Sequence, residues 1–101
     1  MSNKNKFVSI IIPCRNEEKF IEKCLNSIIK NDYPVELFEI LILDGKSDDS
    51  TIDIIKKYQQ KCSNIFIYVN EDIIKPAALN LGINKAKGSI IIRIDAHAVY
   101  P

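Results

Sequence analysis

An aspartate and a histidine lie two positions apart directly after an apolar segment near the end of the sequence. The segment, residues 89–94, reads Ser-Ile-Ile-Ile-Arg-Ile and is followed by Asp95 and, after one alanine, His97. A carboxylate and an imidazole at this spacing could share one divalent ion at the carboxyl end of a strand, the edge where open α/β sheets bind ligands. Mg²⁺ and Mn²⁺ prefer oxygen ligands, and Mn²⁺ also accepts imidazole. The alternative is a turn cap at Asp95 and a solvent-facing His97.

Two earlier apolar segments run into polar loops in the same way. Residues 7–13 lead into the loop 14–18, and residues 39–43 lead into Asp44. The backbone N–H groups and Arg15 of the first loop suit an anion at a helix N-terminus, but an ordinary strand-to-helix connection fits equally well. Asp44 could accept hydrogen bonds from a base N–H or from ribose hydroxyls, or it could tighten a turn. Three strand ends with polar loops predict a nucleotide site.

The elements that position these loops alternate regularly between strands and helices. Strands are predicted at residues 7–13, 38–43, 65–69 and 89–94. Helices are predicted from Glu17 with Asn16 as N-cap, from a cap at Asp49 or Ser50 to Lys61, and from Pro76 to a left-handed Gly88. The nearly continuous apolar runs are typical of strands covered on both faces. The order β-α-β-α-β-α-β therefore predicts an α/β fold, with a parallel sheet and helices on both faces.

The composition of the chain argues against several functional classes. The 101 residues carry a net charge of +1, with 47% hydrophobic and 27% charged residues, which indicates one globular domain or part of one. No basic block points to nucleic acid, and no run of about 18 apolar residues could span a membrane. The polar N-terminus lacks the features of a signal peptide, so we expect a cytoplasmic protein. Neither a P-loop nor a dinucleotide-binding glycine motif is present.

The three cysteines do not predict a disulfide framework or a zinc site, because their number is odd and none are spaced C-x-x-C. Cys24 lies on the apolar stripe of the first predicted helix and is interpreted as a core residue. Cys14 lies in the first polar loop, where a nucleophile is conceivable. A packing or backbone role is favoured, because the sequence offers no candidate base near it.

These segments together resemble family 2 glycosyltransferases. Residues 8–18 and 40–51 resemble the opening of these enzymes, residues 78–83 with 86–88 match the segment before their metal motif, and residues 95–97 fall where the family has Asp-x-Asp. The resemblance covers nearly the whole chain. Residues 93–101 are especially similar to the succinoglycan-biosynthesis type of bacterial polysaccharide transferase.

The resemblance implies a GT-A fold, which is Rossmann-like, and a nucleotide-sugar donor, usually a UDP-sugar. The implied substrate-binding residues are Pro13, Cys14, Arg15, Asn16, Glu17, Asp44 and Asp95, with Asp44 contacting the uracil and Asp95 approaching the ribose. A Mg²⁺ or Mn²⁺ ion would be held by Asp95 and His97, where His97 replaces the family's second aspartate. It would neutralise charge on the departing diphosphate during inverting transfer to a glycan or lipid-linked acceptor in polysaccharide biosynthesis.

The length departs from the family, whose members continue into an acceptor-binding half with the catalytic base. Residues 1–101 are therefore expected to form the donor-binding half of a transferase domain, incomplete at its C-terminus and inactive by itself. Association with the inner face of a membrane would come through downstream regions. The alternative hypothesis is a non-catalytic nucleotide-binding module that acts only with a partner chain. A flavodoxin-like or receiver-type signalling domain is disfavoured, because the early acidic pair it needs is absent.

Overall fold

The computed structural model describes residues 6–71 and 75–96, and these form a parallel sheet with helices on both faces. A 3-10 turn, Val35–Leu37, precedes the second strand. The strands and helices in chain order are β1 (Val8–Cys14), α1 (Ile21–Ile29), β2 (Phe38–Asp44), α2 (Thr51–Lys61), β3 (Ile65–Val69), α3 (Lys75–Lys85) and β4 (Ile90–Arg93). The predicted alternation of strands and helices is confirmed, as are the limits of the third strand.

The strand order across the sheet is β3-β2-β1-β4, and every neighbouring pair is parallel. The chain moves outward from β1 to β2 and β3, and then returns to place β4 on the other side of β1. The connection that leaves β1 and the connection that leads from β3 to β4 therefore run in opposite directions along the sheet. A crevice opens at the carboxyl ends of two such strands, and ligands of open α/β sheets bind there.

Alternate residues of the central strands supply two separate cores. Ile10, Ile12 and their neighbours face α1 and α2, where Leu25 and Ile55 are fully buried. Ile11 faces the other side of the sheet, where α3 covers it with Ala78. All seven residues of β1 and all seven of β2 are buried, which explains their continuous apolar sequence.

Strand β4 is less covered than the two central strands. Its four residues are all exposed, and Ile90, Ile91 and Ile92 keep 42%, 45% and 43% of their surface accessible. A groove of about 530 Å³ runs beside it on the α1 face and is lined mainly by apolar side chains, among them Ile10, Ile28 and Phe38. β4 thus forms an apolar edge of the sheet.

A buried polar cluster fastens the segment before β4 to the central strands. The Ser9 hydroxyl donates to Glu39 Oε2 at 2.7 Å, and the backbone N–H of Lys87 donates to the same oxygen at 2.8 Å. The N–H of Gly88 donates to Ser9 Oγ at 2.8 Å. Ser9 and Glu39 are only 0% and 4% exposed, so these hydrogen bonds form away from water. The cluster holds the connection between α3 and β4 against β1 and β2.

Two predicted helix boundaries were wrong. The first helix begins at Ile21, not near Glu17, and its N-cap position is Phe20. Asn16 is not an N-cap but a left-handed turn residue with φ of 54°. The third helix ends at Lys85, and Gly88 does not adopt a positive φ. Glycine is required at position 88 for a different reason, because a Cβ there would lie 2.7 Å from the backbone nitrogen of Ser9.

The start of α2 lies at the predicted cap residues, Asp49 and Ser50, which divide the capping between them. The N-cap position is Ser50, whose side chain makes no capping hydrogen bond. The Asp49 carboxylate instead accepts from the backbone N–H of Thr51 at 2.9 Å. None of the helices within the described residues is long and apolar enough to cross a bilayer.

Candidate functional site

A cavity of about 110 Å³ lies at the carboxyl ends of β1 and β4, where the strand order reverses. It is lined by Pro13, Cys14, Arg15, Glu17, Leu43, Asn70, Ala78, Arg93, Ile94 and Asp95. This volume is below the 300–1,000 Å³ of typical small-molecule pockets. The described residues therefore enclose less space than a complete small-molecule pocket does.

The structure brings together most of the predicted site residues. Pro13, Cys14, Arg15, Glu17 and Asp95 line the cavity from the ends of β1 and β4. Asp44 is the last residue of β2 and Asn16 lies in the loop after β1, and neither lines the cavity. His97 lies outside the described residues.

The loop after β1 (residues 15–18) and the loop after β2 (residues 45–50) are joined by reciprocal hydrogen bonds, and we call this pair of loops the clasp. Arg15 Nε donates to the carbonyl of Gly45 at 2.9 Å, and the Gly45 N–H donates to the carbonyl of Cys14 at 2.8 Å. The Asn16 N–H donates to Ser47 Oγ at 2.8 Å. In return, the Asp48 N–H donates to Asn16 Oδ1 at 2.9 Å. Asn16 therefore binds the opposite loop through its backbone and its side chain.

The two glutamates that follow Asn16 continue the clasp towards the start of α2. The Glu17 N–H donates to Thr51 Oγ1 at 2.8 Å. The Ser50 N–H donates to Glu18 Oε1 at 2.9 Å, so Glu18 satisfies a backbone donor at the start of α2. The sequence analysis instead placed both glutamates at the start of the first helix. The acidic side chain of Glu18 serves the neighbouring helix, because the chain turns for several residues before α1 begins.

Asp44 braces the turn that follows β2. Its side chain is 3% exposed, and its Oδ2 accepts from the Ser47 N–H at 3.0 Å. Its Oδ1 accepts from the Ser47 hydroxyl at 2.5 Å and lies 3.8 Å from Cys14 Sγ. Of the two roles open from the sequence, the structure shows the turn-tightening one, in which both carboxylate oxygens take part.

Two cysteine thiols near the site are protonated at neutral pH. Burial, together with the nearby carboxylates of Asp44 and Glu17, raises the pKa of Cys14 far above its usual value. Burial and the carboxylates of Asp95 and Glu17 raise the pKa of Cys24 to about 11. Because the thiolate is the nucleophilic form, these shifts support the packing role predicted for Cys14.

The cavity wall also contains residues that the sequence did not single out. Asn70 follows β3 and is 4% exposed, and its N–H donates to the carbonyl of Asp44 at 2.7 Å. Arg93 is the last residue of β4 and lies two positions before Asp95. Their positions in the sequence could have indicated both residues, because each stands at the end of a predicted strand that reaches the same edge of the sheet.

The donor atoms of the cavity suit a hard divalent cation. Asp95 is exposed and Glu17 is half-buried, and both acidic residues line the same cavity. Oxygen donors of this kind bind Mg²⁺ and Mn²⁺. Within residues 6–71 and 75–96 there is no group of three or more side chains that could hold a metal ion by itself. The second predicted ligand, His97, is outside this range.

The sequence matches the family described as Glycosyl transferase family 2 over residues 9–101. The chain belongs to this family. A curated relative from Methanococcus voltae, dolichyl N-acetyl-alpha-D-glucosaminyl phosphate 3-beta-D-2,3-diacetamido-2,3-dideoxy-beta-D-glucuronosyltransferase, is 53% identical over 97 residues. That alignment covers 94% of this chain and 30% of the relative.

Solved structures of glycosyltransferases share the fold of this family 2 chain. Staphylococcus aureus TarS in complex with UDP is 30% identical, with a TM-score of 0.81 over 90% of this chain and 27% of that one. The mannosyltransferase PcManGT from Pyrobaculum calidifontis, in complex with GDP-Man and Mn²⁺, is 29% identical, with a TM-score of 0.84 over 95% of this chain and 29% of that one. The predicted GT-A fold is thus confirmed, and the chain spans less than a third of these relatives.

Proposed function

We propose that this chain binds the donor in a family 2 glycosyltransferase that transfers a sugar from a UDP-sugar to a glycan or a lipid-linked acceptor. The cavity at the switch point between β1 and β4 carries this proposal, because residues at or next to the ends of all four strands meet there in a chain that resembles UDP- and GDP-Man-bound enzymes. The lipid-linked acceptor is supported by the name of the Methanococcus voltae relative. A lipid-linked acceptor would also place the reaction at a membrane surface.

The residues of the cavity wall and of the segments beside it have separate roles in this proposal. Residues 13–17 support the nucleoside, with Arg15 and Asn16 held in place by the clasp. Asp44 accepts from the N–H of the uracil through lone pairs that its contacts with Ser47 leave open, since an ionised carboxylate offers about four acceptor positions. Asp95 approaches the ribose and, with His97, holds a Mg²⁺ or Mn²⁺ ion. That ion would neutralise negative charge on the leaving diphosphate.

Transfer of the sugar also needs an acceptor site and a general base. An inverting displacement needs a base that removes the acceptor's hydroxyl proton. The cavity-lining acids Glu17 and Asp95 are assigned to the donor side, so we place the base in polypeptide beyond this chain.

A non-catalytic nucleotide-binding module that works with a partner chain remains the second candidate. The apolar edge formed by β4 supports it, since contiguous exposed apolar surface marks interaction sites.

Calorimetric titration of the chain with UDP tests the proposal directly. We expect UDP to bind in the presence of Mn²⁺, to bind more weakly after chelation, and to bind better than ADP. Absence of binding by a chain that shows cooperative unfolding would contradict the proposal. Transfer assays on a polypeptide that extends beyond Pro101 would then separate the transferase from the non-catalytic module.

Two variants assign the roles of the acidic residues. Asp95→Ala should abolish the metal-dependent part of UDP binding. Asp44→Ala should weaken UDP by about 10- to 100-fold but leave pyrophosphate binding unchanged, because a hydrogen bond to a charged group contributes about 1.5–3 kcal/mol. Asp53→Ala is the matched control, since Asp53 is an exposed acid in the first turn of α2. Equal losses for UDP and pyrophosphate in Asp44→Ala would remove Asp44 from the base site.

A further inference from the structure

Arg93 is the one charged residue in the apolar segment 89–94, and it lies on the wall of the candidate donor site. Its partner across the parallel ladder is Ile11, and the pairing continues beyond it, because the Ile94 N–H donates to the Ile11 carbonyl at 2.9 Å. Arg93 is therefore held at a set position along β1 at the ligand-binding edge of the sheet. Its side chain is exposed and lines the cavity.

The charges around the cavity single out Arg93 as an available cation. Two arginines, Arg15 and Arg93, and two acids, Glu17 and Asp95, line the wall. Arg15 already donates from its Nε to the Gly45 carbonyl within the clasp. Among residues 6–71 and 75–96, Lys46 forms a side-chain ion pair with Glu71, whereas the Arg93 guanidinium forms none with a carboxylate.

Arg93 and Asp95 lie two residues apart at the same edge of the sheet and line the same cavity. A guanidinium presents a planar fork of N–H donors that matches phosphate oxygens in a bidentate manner. We infer that Arg93 binds the diphosphate of the sugar nucleotide and shares its negative charge with the cation at Asp95. This inference rests on the proposed function and adds a residue to its donor site.

A structural role for Arg93 is the competing explanation. Charged side chains on edge strands discourage pairing with other chains, and β4 exposes three isoleucines beside Arg93. Arg93 also borders the apolar groove on the α1 face. This explanation predicts that loss of the charge changes self-association but leaves ligand affinity unaltered.

The test compares UDP, UMP and uridine as ligands for the wild-type chain, Arg93→Gln and Arg93→Lys by calorimetry in the presence of Mn²⁺. We expect Arg93→Gln to weaken UDP about 10- to 100-fold, to weaken UMP less, and to leave uridine within about twofold. Arg93→Lys keeps the charge but loses the fork, so its UDP affinity should lie between those of the other two proteins. Lys57→Gln removes the same charge from an exposed position on α2 and serves as the control.

The outcomes separate this inference from the proposed function. A wild-type chain that does not bind UDP overturns both. If the wild-type chain binds UDP but Arg93→Gln binds it equally well, or loses UDP and uridine to the same extent, Arg93 does not contact the diphosphate. Size-exclusion chromatography of both variants measures self-association, which is the property that the structural explanation expects to change. Should Arg93→Gln fail to unfold cooperatively, the comparison of UDP with uridine for Arg93→Lys decides the question.

Discussion

Removal of the Glu39 carboxylate should destabilise the sheet more than removal of any exposed acid. Glu39 is 4% exposed on β2, and its Oε2 accepts from the Ser9 hydroxyl and from the Lys87 N–H. In Glu39→Ala both donors lose this acceptor in a buried place. The loss of the acceptor for the Lys87 N–H should cost more free energy of unfolding than the loss of the acceptor for the Ser9 hydroxyl, because backbone donors buried without a partner are rare in folded proteins.

The size of the effect follows from these two hydrogen bonds. Each hydrogen bond to a charged acceptor contributes about 1.5–3 kcal/mol, which gives about 3–6 kcal/mol for the pair. Removing a buried ion also relieves its desolvation, so the lower end, about 3 kcal/mol, is expected. Domains are typically stable by only about 5–15 kcal/mol. With a urea dependence near 1.5 kcal/mol/M, the unfolding midpoint should fall by about 2 M.

Urea unfolding followed by circular dichroism measures this change, and two further variants test its cause. Glu39→Gln should cost less than Glu39→Ala, because both donors converge on one oxygen, which a glutamine carbonyl can replace. Glu36→Ala removes an exposed acid from the 3-10 turn before β2 and should stay within about 0.5 kcal/mol of wild type. If Glu39→Ala unfolded at the midpoint of Glu36→Ala, the buried cluster would not stabilise the junction between α3 and β4.

Two other results are expected, one for the clasp and one for the three cysteines. Asn16 has a φ of 54°, so Asn16→Ala should be less stable than Asn16→Gly by about 1 kcal/mol in urea unfolding. Equal midpoints would mean that the loop relaxes out of the left-handed conformation. Iodoacetamide at pH 8 should modify Cys62 first, because Cys62 is partly accessible while the raised pKa values keep Cys14 and Cys24 as buried neutral thiols. Peptide mass spectrometry reports the order, and early labelling of Cys14 would contradict its assigned packing role.

The strands and helices that depend on local residue types and on the spacing of hydrophobic residues were predictable from the sequence. β2 is a run of apolar residues broken by Glu39, and such a run forms a strand because both of its faces are covered. The third strand, 65–69, and the second helix also followed from pattern alone. The order of these elements then led to the parallel sheet, since consecutive parallel strands need helical crossovers.

The start of α1 could not be predicted, because its determinant lies far along the chain. Asn16 and Glu17 have the residue types of a helix start, but Asn16 Oδ1 accepts from Asp48, which is 32 residues away. Contacts across the clasp thus replace the local cap, and α1 begins only at Ile21. Gly88 shows the same dependence, since its need for a small residue comes from close approach to Ser9 on β1.

The sequence by itself determined which residue types stand at the strand ends, and hence that acids and an arginine-containing loop meet at one edge of a parallel sheet. Only the tertiary structure decided how each side chain is used there. Asp44 turned out to brace its own loop, whereas Asn70 and Arg93 joined the cavity wall. The physical reason is that hydrogen-bond partners and exposure are set by packing between segments distant in the chain, while strand and helix patterns are set by neighbours in sequence.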